Sequence, residues 1–470
     1  MRDEFDAVIV GSGPNGLTAA AVLARAGRRV LVLEAADTIG GGARTDEWFG
    51  SGVRTDLCSA VHPTGYASPA FTDLRLTDHG LNWVVPDVSL AHVAASGTIG
   101  VHRKSERTAT ELGADARRWR AVVEVSDPRS LVEQVLAMPT IPRRRVLRTA
   151  GFGAAATLPT DVVARAFTTE RAATVFAGIA AHAERPLTAL GSAAAGLMLG
   201  MLATTGWPVA QGGSQAIIDA LASVVRTAGG RIETGCEVTG LAQLPTDCDL
   251  LFDTSPDLVA RLFADRLGNR YARALRRFAY GGGTCKVDFM LTDPIPWTAR
   301  PELMARTATF HLADDVAQIR RTEAAVAAGS LPERPWVLGG EPTAVDPSRA
   351  PFGTHLAWAY CHVPAKCAVD VSDRIVAEIE RAAPGFRDTI IGVRVSTATD
   401  LERHDANYVG GDINCGAASL AQLVARPVLS PTPQVTGVPG VYLCSSATAP
   451  GGGVHGMSGY RAARALLARG

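Results

Sequence analysis

Gly11, Gly13 and Gly16 follow the order GxGxxG between a short apolar run, Phe5–Val10, and a stretch with Leu17, Ala20, Ala21 and Ala24 at helical spacing. Each glycine meets a different need. Gly11 allows the tight turn, Gly13 lets backbone N–H groups approach a pyrophosphate, and Gly16 permits close packing of helix on strand. A second apolar run, Arg28–Glu34, ends on an acid about 20 residues beyond the glycines, where a carboxylate accepts hydrogen bonds from an adenosine ribose and repels a 2′-phosphate. The spacing predicts a βαβ unit that holds the ADP half of NAD or FAD, with Pro14, Asn15 and Ala35 beside it. A merely tight turn is the competing reading. Strand, glycines, helix, strand and terminal acid in this order argue against it.

Two further segments bear on which dinucleotide this is. Gly40, Gly41, Gly42 and Ala43 precede Arg44, a cation able to lie along a pyrophosphate or a flavin. At the far end, a strand over Val441–Cys444 leads past Ser446 into the glycine run Gly451–Gly453, then Val454, His455 and a helix opening near Gly456 and Met457. N–H donors at such a helix start suit an electron-rich ring edge. A chain that meets its cofactor at both ends suits the long, extended FAD.

Other residues could carry chemistry. Lysine is rare here, confined to Lys104, Lys286 and Lys366, and Lys286 falls in the alternating segment TCKVDFML expected to form a strand. A buried ammonium needs a partner or a function, and pairing with Asp288 or another acid is the plainer account. His62 and His455 are candidate proton acceptors or hydrogen-bond donors, against the reading that backbone groups satisfy them. His182, Glu184 and Arg185 could meet the polar end of a substrate or form a solvated helix face. Trp207 and Tyr460 read as packing residues. No nucleophile elbow, HExxH or DxDG loop occurs, so nothing favours hydrolysis and no metal ligand is assigned.

The elements that must position these residues belong to a chain of 470 residues, enough for two or three domains. With 47% hydrophobic and 20% charged residues it has the apolar content of a folded protein, and its net charge of zero leaves no field to gather nucleic acid. Eight cysteines without a CxxC pair or a repeating spacing indicate neither a disulfide framework nor a zinc ribbon, and free thiols point to a reducing, cytoplasmic setting. Asp3, Glu4 and Asp6 precede the first apolar run, unlike the basic start of a signal peptide. The uncharged stretch from Pro186 to Trp207 has about the length of a membrane span, but consists mostly of small residues. It is expected to be a buried helix in the core or along an apolar pocket; no integral membrane segment is expected, and peripheral contact stays open.

The motifs GSGPNGL with Glu34, GGGART (Gly40–Thr45), CSAVHP (Cys58–Pro63), WPVAQGGSQAIIDAL (Trp207–Leu221), GRIETGCEV (Gly230–Val238), GGGTCKVDF (Gly281–Phe289), NYVGGDIN (Asn407–Asn414) and PGGGVHGMSGY (Pro450–Tyr460) run through the whole chain. With them the sequence resembles the FAD-dependent oxidoreductases of the phytoene desaturase and amine oxidase superfamily, in particular the phytoene-dehydrogenase-related branch. The resemblance implies an α/β fold: a Rossmann-type FAD-binding domain assembled from residues 1–72, 207–265 and 434–470, with an inserted α+β substrate-binding domain made of a helical part, 73–206, and a sheet, 266–433. It implies that the strand ending at Val238 touches the adenine end of FAD, and that the connection to CDLLFDTSP (Cys248–Pro256) is shortened, with part of a small sheet missing. In amine oxidases of this layout a lysine matching Lys286 holds a water against the flavin.

The expected activity is hydride transfer from a largely apolar small molecule (isoprenoid, polyketide, lipid or aromatic) to noncovalently bound FAD, with oxygen or a quinone as the electron acceptor and the accompanying proton passing to His62 or solvent. An amine or amino acid oxidase is the alternative, with Arg185 the candidate for a substrate carboxylate. From another class comes a non-catalytic flavin-fold binding protein resembling the prenylated-GTPase escorts.

Overall fold

The computed structural model describes residues 4–123, 128–137 and 146–469, so residues 124–127 and 138–145 of the expected helical insert lie outside the described residues. The two apolar runs of the N-terminal unit become Ala7–Val10 and Val30–Leu33, neighbours in a five-stranded parallel sheet. The strand order is 441–443, 249–252, 7–10, 30–33, 231–233, which draws on both ends and the middle of the chain. Both N-terminal strands are buried along their whole length, as a parallel sheet covered on both faces requires. Helices Pro14–Arg25, Gln215–Thr227 and Met457–Leu467 share one core with the sheet; Phe252, Val259, Phe263 and Tyr271 fill another against the helices Pro256–Leu262 and Asn269–Arg276.

The helix Met457–Leu467 lies so close to Pro14–Arg25 that a Cβ on Gly459 would stand 1.8 Å from the Asn15 carbonyl oxygen. Here glycine is a packing requirement. The strand expected over Arg231–Val238 stops at Glu233. Gly235, at φ +67°, turns the chain, and Cys236 N–H donates to the Glu34 carbonyl at 2.7 Å, so Cys236–Val238 cross beyond the sheet's carboxyl edge. Between Val238 and Asp249 there is one 3₁₀ turn, Leu241–Gln243, and no strand.

A second sheet has seven strands in the order 390–396, 283–291, 355–363, 337–340, 310–312, 88–94, 97–102. It is antiparallel except where Phe310–Leu312 runs parallel to Val88–Ala94. Its strand Gly283–Leu291 alternates as TCKVDFML suggested. Cys285, Val287, Phe289 and Leu291 enter one core, whereas Thr284, Lys286 and Asp288 take the other face opposite His362, Tyr360 and Trp358. The uncharged stretch Pro186–Trp207 contains the helix Ala193–Ala203; among the described residues no helix is long and apolar enough to cross a membrane. Gly196 lets it approach the helix Glu170–Ala180, since a Cβ there would lie 2.8 Å from that of Ala180.

The two sheets are tied by Asp56, which is 3% exposed. Its Oδ1 accepts from Ser214 N–H at 2.8 Å, at the start of the helix Gln215–Thr227, and from Thr45 Oγ at 2.6 Å. Its Oδ2 accepts from Arg349 Nη2 at 2.9 Å, and its backbone oxygen accepts from Lys286 Nζ at 3.0 Å. Burial pushes this carboxyl upward, but the Arg349 guanidinium and the bonds from Thr45 and Ser214 outweigh burial and hold it below the usual carboxylate range.

Two expectations follow. Gly459→Ala should cost about 1–3 kcal/mol through overpacking, whereas Gly268→Ala, where a Cβ meets nothing within 4 Å, should stay within about 0.5 kcal/mol; equal denaturation midpoints for the two variants would remove the packing account. Arg349→Met should cost roughly 3–5 kcal/mol by leaving a buried charge alone. Because the Asp56 pKa is depressed in the native protein, its contribution is present above about pH 3.9 and lost as pH falls through the lower native value. In Arg349→Met burial prevails and raises that pKa, so the stability gap to the native protein should be widest near neutrality and narrow toward about pH 4. Urea unfolding across that range checks it, and a gap that widens on acidification would refute it.

Candidate cofactor and substrate site

The glycine turn is drawn tight around Asp253, an acid that carries no assignment from sequence. Gly11 has φ +99° and its N–H donates to the Leu33 carbonyl at 2.8 Å, while a Cβ on Gly16 would meet the Gly11 carbonyl oxygen at 2.2 Å. Asp253, just past the strand 249–252, accepts from Gly16 N–H through Oδ2 at 2.7 Å, and the same oxygen would lie 2.7 Å from a Cβ on Gly13. Burial raises the Asp253 carboxyl to about 8; the Gly16 N–H opposes that shift, and Asp405 and Glu34 add to it. Near neutral pH this acid is uncharged, so it can share the turn with a pyrophosphate without repelling it. Glu34 accepts from Ser12 N–H at 2.9 Å, Ser12 Oγ at 2.5 Å and Ala36 N–H at 2.9 Å, which fixes the carboxylate at the end of its strand.

A cavity of about 1360 Å³ begins at this turn. Of the residues expected to hold a cofactor, Gly11, Gly13, Pro14, Asn15, Glu34, Ala35, Gly41, Gly42, Ala43, Arg44, Val238, Ser446, Gly453 and Val454 all line it. Gly16, His455 and Met457 stand behind the lining rather than in it. Arg44 reaches the wall, yet its guanidinium is already committed to the Gly41 carbonyl at 2.8 Å and the His404 carbonyl at 2.7 Å. Gly42 is required by Tyr408, whose hydroxyl would stand 1.4 Å from a Cβ. The cradle fits an extended dinucleotide. Its wall carries backbone at the glycine turn and at both glycine-rich loops, and the buried Asn15 Oδ1 and His455 Nε2 have no hydrogen-bond partner of their own.

Beyond the glycine loops the wall turns apolar and aromatic: Val135, Phe152, Met198, Leu199, Trp207 and Trp358. Ala194, Ala195, Met198 and Leu199 come from the helix Ala193–Ala203, so the greasy stretch does edge a pocket. His182, Glu184, Tyr360 and Asn414 are polar exceptions on this part of the wall.

Three candidates for chemistry sit elsewhere. Lys286 is 2% exposed; its Nζ donates to Asp288 and to the Asp56 carbonyl, and it is not part of the cavity lining. The expected acid partner is present, inside the protein rather than at its surface. Burial lowers His62 to about 4, so it is neutral. Ser214 Oγ donates to the Ser59 carbonyl at 2.5 Å, so it accepts from His62 Nε2 at 2.8 Å, which fixes the tautomer and leaves Nδ1 beside Ser59 Oγ. His455, also lowered to about 4 by burial, accepts from Met457 N–H through Nδ1 at 3.1 Å; its Nε2–H is therefore the unpartnered donor. Arg185 does not line the cavity, whereas Arg44, Arg261, Arg403, Arg426 and Arg461 do; Arg426 spends its donors on the carbonyls of Asn414, Cys415, Gly416 and Ser446. Asp253, Asp405 and Tyr408 were missed as site residues. Only Asp253 had a signal, an acid ending a third parallel strand as Glu34 ends the second.

Comparison with known proteins agrees with this geometry. Residues 9–75 match the NAD(P)-binding Rossmann-like domain family. Pyridine nucleotide-disulfide oxidoreductase domain-containing protein 2 of Mus musculus is 27% identical over 552 residues, covering 99% of this chain and 94% of its own. One component of the limonene dehydrogenase of Castellaniella defragrans is 34% identical over 124 residues, 25% of this chain and 22% of its own. In fold, cyclohexylamine oxidase from Brevibacterium oxydans superposes with a TM-score of 0.62 over 99% of both chains at 14% identity. These findings support a dinucleotide-binding Rossmann-like domain at the N-terminal end and a fold shared with cyclohexylamine oxidase.

Proposed function

We propose that this protein is an FAD-dependent dehydrogenase or oxidase of the phytoene-dehydrogenase-related branch, acting on a largely apolar small molecule. The observation that carries the reading is one continuous cavity, which joins a dinucleotide cradle built from both ends of the chain to a wall of Val135, Phe152, Met198 and Leu199. Bound FAD would supply a two-electron acceptor for hydride from a substrate C–H, with oxygen or a quinone reoxidising it. The chain's own work is to hold and to exclude. Gly11, Gly13 and Glu34 would hold the ADP half, with Gly16 closing the turn behind them, and backbone of the Gly451–Gly453 loop would meet the ring. The apolar wall orients the substrate and keeps water out. Lys286 acts in this reading by positioning, since its ammonium anchors the Asp56 carbonyl just before the lining segment Cys58–Val61.

An amine oxidase is the second reading, favoured by the fold shared with cyclohexylamine oxidase. An amino acid oxidase loses the arginine named for its substrate carboxylate, because Arg185 lies off the cavity. The likeness to a limonene dehydrogenase over a quarter of the chain favours a largely apolar substrate over an amine. Anaerobic titration with isoprenoids, aromatic metabolites and amines decides: flavin bleaching by apolar substrates supports the first reading, bleaching by amines alone the second. A colourless protein that binds such molecules would be a non-catalytic binder.

Purified protein should be yellow and should release FAD on denaturation, leaving the chain at its unmodified mass. In Gly13→Asp a new side chain would enter pyrophosphate space and collide with Asp253, whose Oδ2 is 2.7 Å from the Cβ position. That variant should retain its circular dichroism and lose at least nine-tenths of its flavin. Full flavin content in Gly13→Asp would refute the cradle.

A further inference from the structure

Glu184 stands out on the cavity wall. It follows the 3₁₀ turn Ala181–Ala183 and has left-handed backbone angles, φ +51° and ψ +46°, a conformation that a residue with a long side chain adopts at a cost. It is held there by Asn414, whose Nδ2 donates to Glu184 Oε1 at 2.9 Å and to the His182 carbonyl at 3.5 Å. The other carboxyl oxygen, Oε2, is buried without a partner. Asn414 in turn adjoins the glycine loop of the proposed cofactor site, with its carbonyl oxygen 2.8 Å from the Cβ position of Gly452. Glu184 therefore sits where the apolar wall meets the expected ring end of the cavity, with Trp358 and Tyr360 also among the lining residues.

No cation forms an ion pair with this acid among the described residues. His182 is committed through Nε2 to His311 Nε2 at 3.2 Å, and burial lowers it to about 3, so it is neutral. His362 is raised to about 9, because Glu323, bonded at 2.8 Å, outweighs the effect of burial; its charge is matched by that partner. Asp412 accepts three backbone N–H groups, from Gly281, Asn414 and Gly416, and adds only negative potential. Burial, reinforced by Asp412 and Glu323 against the pull of His362, pushes the Glu184 carboxyl well above its usual range. Burial without a bonded cation favours the protonated form of this acid, and with Oε1 accepting from Asn414 the unpartnered Oε2 is the oxygen placed to carry the proton and donate.

We infer that Glu184 selects the substrate: its unpaired O–H anchors a carbonyl or hydroxyl oxygen on an otherwise apolar molecule and so sets which carbon lies at the ring end of the cavity. This rests on the function proposed above and narrows its substrate class. An ammonium substrate fits less well, since it would pair with a carboxylate only after both charges left water. A plain hydrocarbon would leave the buried O–H unsatisfied.

The test uses the flavin-loaded protein and four probes with one skeleton: p-menthane, menthone, menthol and menthylamine. Binding is read from flavin absorbance and from tryptophan fluorescence, since Trp207 and Trp358 line the cavity. Native protein should bind menthone or menthol at least tenfold tighter than p-menthane. Glu184→Gln, which keeps a donor, should hold that preference within about threefold; Glu184→Gly should abolish it and leave p-menthane within twofold. Glycine suits the left-handed angles, so Glu184→Gly should melt at or above the native temperature, and a failure to fold cannot mask the result. The proposal falls if native protein shows no preference for the oxygenated probes, or if menthylamine binds tightest and is lost in Glu184→Gln. It falls equally if Glu184→Gly melts more than about 5 °C lower and weakens all probes alike, which would make the Glu184–Asn414 bond a structural clamp. A protein without flavin would instead refute the function on which the inference rests.

Discussion

A carboxylate sealed from water must find donors or lose its charge, and Asp56 finds four: Thr45, Ser214 and Arg349 on its side chain and Lys286 on its carbonyl. Those partners come from an N-terminal hairpin, from the start of a helix on the parallel sheet, from the 3₁₀ turn Pro347–Arg349 and from the strand Gly283–Leu291 of the seven-stranded sheet. One acid thus ties the layer of the parallel sheet to that of the seven-stranded sheet. The segment Cys58–Val61, two residues on, lines the cavity between them. His62 completes the same joint through Ser214, which explains why it is neutral and fully bonded and faces no substrate.

Several groups around the cavity follow the opposite course, losing charge instead of pairing it. Burial lowers His182 to about 3 and His455 to about 4 and raises Asp253 to about 8, so these three stand uncharged near neutral pH, and it pushes the carboxyls of Asp405 and Glu184 upward as well. Such a lining suits both tenants proposed for it. A pyrophosphate meets backbone N–H groups and a protonated Asp253 rather than a second anion. An apolar substrate meets hydrocarbon and aromatic rings, with neutral polar groups to orient it.

Glycine sets how closely these layers can approach. Gly16 against Gly11, Gly42 against Tyr408 and Gly459 against Asn15 are places where a single methyl group would collide with backbone or ring. Two of the three contacts are between residues hundreds of positions apart. The motif containing Gly16 was legible because its partner lies five residues away; Gly42 and Gly459 were legible only as members of glycine-rich segments.

From sequence alone came most of what depends on local order: the βαβ unit, Glu34 at its end, the strand alternation around Lys286, and a short apolar helix in place of a membrane span, although the strand read over Arg231–Val238 ends at Glu233. These follow from periodicity and from the conformational freedom of glycine, which neighbours along the chain determine. The tertiary structure decided which polar side chains remain available. It committed Lys286 to Asp288, His62 to Ser214 and Arg426 to four carbonyls, brought Asp253 onto the glycine turn, and left Glu184 with one oxygen unsatisfied. A side chain's chemistry depends on its burial and on partners from distant segments, and neither has a signature in the residues beside it.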